Sequence, residues 1–86
     1  MNNTKVSVWR KTKVIVAYVG NPIYDGFFRN EFVPVTFIDE YGKVIKNSLF
    51  AGHAKRLPML QEGNTIELVY EIGTDWIKSI DGERWN

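Results

Sequence analysis

Residues 31–50, EFVPVTFIDEYGKVIKNSLF, decide the fold. Two runs of alternating apolar and polar residues, 31–39 and 43–50, flank Glu40-Tyr41-Gly42, and a period of two marks a half-buried strand. A three-residue link ending in glycine closes antiparallel hairpins, because its third position takes left-handed backbone that glycine adopts without steric cost. The register follows: Asp39 faces Lys43, and the pairs continue from Ile38 with Val44 to Phe32 with Phe50. Val33, Val35, Phe37, Ile45 and Leu49 then share one face, the expected core. Phe32, Thr36, Lys46, Ser48 and Phe50 share the other, where rings mix with polar groups. A two-residue Tyr41-Gly42 turn would set Phe37 against Lys46 instead, so the pairing is a specific expectation.

Working outward, residues 5–19, KVSVWRKTKVIVAYV, place Val6, Val8, Val14, Val16 and Tyr18 on one parity, as a long bent strand with a polar middle would. Gly20, Asn21 and Pro22 end it. Residues 51–63, AGHAKRLPMLQEG, abandon the alternation: Ala54, Leu57 and Leu60 recur every three residues and Gly63 closes the segment, which predicts a short helix limited by Pro58 to a turn or two. Residues 64–72, NTIELVYEI, alternate Ile66, Leu68, Tyr70 and Ile72 inward, and residues 76–81, WIKSID, make a fifth strand. The order strand, strand, strand, helix, strand, strand predicts an all-β domain with one small helix: a five-stranded Greek-key barrel of the OB type, residues 1–86 forming a single domain. An SH3-like barrel is the chief competitor, but it does not call for a helix at that point.

Composition narrows the chemistry. With 86 residues, 44% hydrophobic and 24% charged, the chain suits one small folded domain. Eleven Lys and Arg against ten Asp and Glu leave a net charge of +1, too little for a binder that works by charge alone. Without cysteine, and with one histidine, thiolate chemistry is excluded and a zinc site is not expected; no cofactor is expected either. The longest apolar run, 14–19, is too short to span a bilayer, and residues 1–13 do not read as a signal peptide, so a cytoplasmic protein with no membrane partner is the expectation.

The stretch SLFAGHAKRLPMLQEGNTIELVYEI, residues 48–72, resembles bacterial and phage single-stranded-DNA-binding proteins and related OB-fold modules. In that family a strand ending in Phe, like Phe50, leads into a helix with an Ala, like Ala54, then leucines such as Leu57 and Leu60, and a glycine such as Gly63 before an alternating strand. Glu62 departs from the pattern, standing where the family usually has lysine. The resemblance implies binding of single-stranded nucleic acid, DNA in preference to RNA, in a replication context.

In OB folds the second and third strands and the flanking loops form the ligand face. Here that face would include Phe32, Lys46 and Phe50. The loop before it, NPIYDGFFRNEF (21–32), adds Tyr24, Phe28 and Arg29 to the candidate nucleic-acid-binding residues. Rings there can stack on bases and cations can meet phosphates. Of the adjacent Phe27 and Phe28, one is expected to turn inward and cap the barrel. Trp9, Lys11 and Lys13 form a basic cluster beside a ring, although a run of cations on a strand is also what any solvated face carries. Lys78 shares a parity with Trp76 and could extend the platform; Trp85 could latch across the barrel or meet a partner. His53 has no nucleophile or second histidine beside it, and Asp39 and Glu40 suit a hairpin turn, so no enzyme is expected. A second reading makes the domain a protein-interaction accessory subunit of a mobile-element or phage replication complex, with a replication protein as partner and a homodimer as a further possibility.

Overall fold

The computed structural model describes residues 8–84, a mostly antiparallel β-sheet with one short helix. In chain order these are β1 (Trp9–Val19), β2 (Ile23–Asp25), β3 (Asn30–Asp39), β4 (Val44–Phe50), α1 (Ala51–Ala54), β5 (Thr65–Glu71), β6 (Ile77–Ile80) and β7 (Glu83–Arg84). Among the described residues seven strands thus stand where five were expected, the additional ones being short. β2 is the part of the aromatic loop that rejoins the sheet. β7 follows a two-residue turn in which Asp81 (φ 49°) and Gly82 (φ 81°) are both left-handed, the geometry of a tight hairpin. Val6 and Trp85 lie outside the described residues.

The β3–β4 hairpin has the register that its glycine dictates, Phe32 opposite Phe50 through Ile38 opposite Val44. Gly42 sits at φ 84°. Its N–H donates to the Asp39 carbonyl at 3.1 Å, and the Asp39 N–H donates to the Lys43 carbonyl at 3.0 Å. The buried Asp39 side chain adds a brace: one carboxylate oxygen accepts from the N–H groups of Tyr41 and Lys43, each at 2.8 Å. Val33, Val35, Phe37, Ile45 and Leu49 all lie in the core.

β3 pairs with β4 along one edge and with β1 and then β2 along the other; β1 continues to β5, β6 and β7. Pro34 stands where β1 gives way to β2. Its carbonyl accepts from the Gly20 N–H at 2.8 Å, and the reciprocal bond, which proline cannot make, falls where β1 has ended. Glycine is required at this corner, since a Cβ on Gly20 would come within 2.5 Å of the Pro34 ring and 2.8 Å of the Tyr18 hydroxyl.

The single parity of the first strand and the inward reading of Ile72 need correction. Val14 and Val16 are buried, but the ladder slips between Val16 and Tyr18, so that Tyr18 pairs with Thr36 on the outer face and Val19 packs against the core instead. Val8 is exposed at the start of the described chain. Ile72 is exposed too, because β5 ends at Glu71 and the chain turns there, with the Asp75 N–H donating to the Glu71 carbonyl at 3.0 Å.

The helix is as short as Pro58 requires. One α-turn, 51–54, gives way to bonds from Arg56 to His53, Leu57 to Ala54 and Leu60 to Leu57, the tighter i to i+3 pattern that Pro58 permits. Leu57 and Leu60 are nonetheless buried, so the segment seals the core without being regular. Glu62 accepts from the Val19 N–H at 3.0 Å, satisfying a donor beside the β1 bulge.

Among the described residues no ladder joins β4 to β6, so hydrogen-bonded strands do not close the sheet. Side chains span the seam. Asn47 accepts from the Ser48 N–H through Oδ1 at 2.9 Å and donates through Nδ2 to the Asp75 carbonyl at 2.7 Å. The Lys43 ammonium lies 3.2 Å from Asp75 Oδ1 and 4.9 Å from the centre of the buried Tyr70 ring.

Gly42→Ala should lower stability by about 1–2 kcal/mol, the cost of left-handed backbone for a residue with a Cβ, and Asp39→Ala by about 1–2 kcal/mol through loss of two charge-assisted hydrogen bonds. Urea unfolding measures both, and Asp39→Asn, which keeps an acceptor oxygen, should recover much of the loss. The hydrogen bond to Asp75 raises the Lys43 pKa above its ordinary 10.5, against the lowering effect of burial. A raised folded-state pKa stabilises fully below pH 10.5 and is lost as pH climbs through the folded value. The stability difference between the parent chain and Lys43→Met should therefore be flat from neutral pH up to that point and shrink above it.

Candidate nucleic-acid interface

The hairpin register sends Phe32 and Phe50 to the outer face as direct neighbours, their ring centres 4.8 Å apart and their planes 33° from parallel. Phe28 meets Phe32 edge-on at 5.7 Å, Phe27 meets Phe28 at 5.0 Å, and on the other side His53 meets Phe50 at 6.0 Å. Five rings thus form an unbroken series from the 26–29 loop, across β3 and β4, to α1.

The loop is organised locally. Asp25 accepts from the N–H groups of Phe27 at 2.8 Å and Phe28 at 3.2 Å, and Arg29 takes a left-handed φ of 53° to re-enter β3. This tight turn leaves no length for a ring to reach the core. Phe27 is 88% exposed and Phe28 63%, which corrects the expectation that one of them turns inward. Between loop and sheet lies an open cleft of about 260 Å³, lined by Ile23, Tyr24, Asp25, Phe28, Phe32, Pro34 and Ser48. Beside it, Lys46 borders a second groove with Tyr18, Pro34 and Thr36. The Arg29 side chain is exposed and makes no ion pair with any described residue.

The remaining candidates stand elsewhere. Trp9, Lys11 and Lys13 project from the outer face at the start of β1, paired with Glu71, Val69 and Glu67 of β5. Lys78 of β6 places its ammonium 5.2 Å from the centre of the Trp9 ring, and Lys11 lies 3.5 Å from the Glu67 carboxylate, both partners being well exposed. A wide cleft of about 720 Å³ opens here between β1 and the hairpin tip, with Arg10, Lys11 and Lys13 facing Glu40, Tyr41 and Glu67. The ten candidate residues therefore form two groups: Tyr24, Phe28, Arg29, Phe32, Lys46 and Phe50 at one end of β1, and Trp9, Lys11, Lys13 and Lys78 at the other. Trp76 is exposed and stands outside the ring series.

Sequence reasoning missed Tyr18, whose outward turn depends on the bulge, and gave His53 no part in the ring series. His53 follows Phe50 by three residues, a helical spacing that brings the two rings to one side once the α-turn starts at Ala51. Chemically, the first group offers flat apolar faces with Arg29 and Lys46 nearby, suited to stacking on planar groups joined by an anionic backbone. Among the described residues no cluster of three or more His, Cys, Asp or Glu could hold a metal ion, and no helix is long and apolar enough to cross a membrane. No protein-family model, curated protein or solved structure matches the chain.

Proposed function

We propose that the chain is a non-catalytic OB-type module that binds single-stranded nucleic acid on the outer face of β3 and β4 and on the 26–29 loop. In this reading β1, β3, β4, β5 and β6 are the five strands of a Greek-key barrel, β2 and β7 are additions, and the Asn47 and Lys43 contacts to Asp75 stand in for the closing ladder. The ring series from Phe27 to His53 carries the reading. A surface that keeps Phe27, Phe28 and Phe50 in contact with water, beside cations and away from the core, is costly unless something flat covers it. Each base stacked on a ring contributes roughly 1–3 kcal/mol, so two or three stacks with a few phosphate contacts give useful affinity despite a net charge of +1. The preference for DNA over RNA comes from the resemblance of residues 48–72 to single-stranded-DNA-binding proteins.

A second reading, an accessory subunit that meets a replication protein or a second copy of itself, has its own support. Ile15, Ile38 and Val44 are neighbours across three strands on the outer face and all are exposed, an apolar stripe with Lys13 at its border that a protein partner could cover.

Fluorescence anisotropy with labelled oligo-dT separates the readings. At low salt the parent chain should bind, and Phe32→Ala and Phe50→Ala should each weaken binding about 5- to 150-fold, the equivalent of one lost stack. If the parent chain leaves oligo-dT free at low salt while sedimentation shows a dimer, the accessory reading replaces this one.

A further inference from the structure

Resting on the reading above, we infer that the bound strand does not stop at the phenylalanines but runs the length of β1 to Trp9 and Lys78, so that the interface has two parts and a length threshold. The outward parity of β1 supplies the path. Trp9, Lys11, Lys13 and Ile15 occupy alternate positions on one face, and the bulge at Ala17 puts Tyr18 on that same face where strict alternation would have buried it. Tyr18 stands opposite Thr36 and borders the groove of Lys46, and past the Gly20 corner Ile23 pairs with Phe32. One continuous row of outward side chains therefore joins the two groups of candidate residues, with rings at both ends and in the middle.

The charges along this row fit an anionic chain better at some positions than at others. Lys11 is already paired with Glu67, whereas Lys13 is exposed and makes no ion pair with any described residue. Lys78 holds its ammonium against the Trp9 ring, where it could meet a phosphate while the indole stacks on a base. Eleven residues of β1 at about 3.3 Å each span roughly 35 Å, the length of about ten stacked nucleotides at about 3.4 Å per step. Short oligonucleotides should therefore occupy only the phenylalanine end, and longer ones both.

Binding of oligo-dT of about four and about twelve nucleotides, each over a range of salt concentration, tests this against the double variant Lys13→Gln/Lys78→Gln, whose folding thermal melts verify. The variant should bind the short oligonucleotide as the parent does and the long one about 5- to 10-fold more weakly, with the salt slope for the long one reduced by about 1.4, two contacts of about 0.7 each. Parent-like affinity and slope of the variant for the long oligonucleotide, with Phe32→Ala still weakening it, would overturn the extended path and leave the phenylalanine site standing. Failure of the parent to bind either length would remove both.

Discussion

The outer face exists because a buried carboxylate and a left-handed glycine hold one hairpin in one register. Asp39 gathers the N–H groups of Tyr41 and Lys43 while Gly42 turns the chain, and from that point every pair down to Phe32 and Phe50 is determined. Side chains alternate along a strand, so a slip of one residue on either strand would bring core side chains to the surface and outer ones inward. Phe37, fully buried, and Phe32, on the opposite face, differ in nothing chemical; only register assigns one to the core and the other to the surface.

Around this hairpin the rest of the fold settles local conflicts. A proline inside a strand with neighbours on both edges would ordinarily lose a ladder bond, yet Pro34 lies where β1 ends and β2 has not begun. The same corner needs Gly20 for close approach and uses Glu62, across 43 residues of sequence, to satisfy the Val19 N–H. The open side is managed by side chains. Asn47 covers the Ser48 N–H on the outer edge of β4 and reaches over to Asp75, which blunts an exposed strand edge as well as bridging the seam.

The strongly periodic segments were legible in the sequence. The hairpin register, the inward set of β3 and β4, and the alternation of Ile66, Leu68 and Tyr70 follow from period two and one glycine. What escaped depends on interactions remote in sequence. Nothing in VIVAYV announces a bulge, since it is fixed by the pairing of Tyr18 with Thr36 and by the 61–64 segment crossing over. The single α-turn in residues 51–63 was legible, by contrast, since Pro58 limits their helical spacing to a turn or two while Leu57 and Leu60 reach the core. One of the two loop phenylalanines is expected inside because rings usually are buried, whereas the Asp25 turn leaves both exposed. Of the candidate residues, Phe28, Phe32 and Phe50 are in ring contact and Tyr24 shares a cleft with Phe28 and Phe32. The basic group stands at the far end of β1, a separation that linear spacing does not reveal.

The proposed binding of single-stranded nucleic acid rests on rings held outward by the register and joined into a series. Backbone and aromatic side-chain NMR during titration with oligo-dT tests that link most directly. Cross-peaks between the Phe32 and Phe50 rings should be present in the free protein, and the shifts on titration should concentrate on Phe28, Phe32, Lys46 and Phe50. Rings without mutual contact, or shifts confined to the opposite side of the sheet, would contradict it.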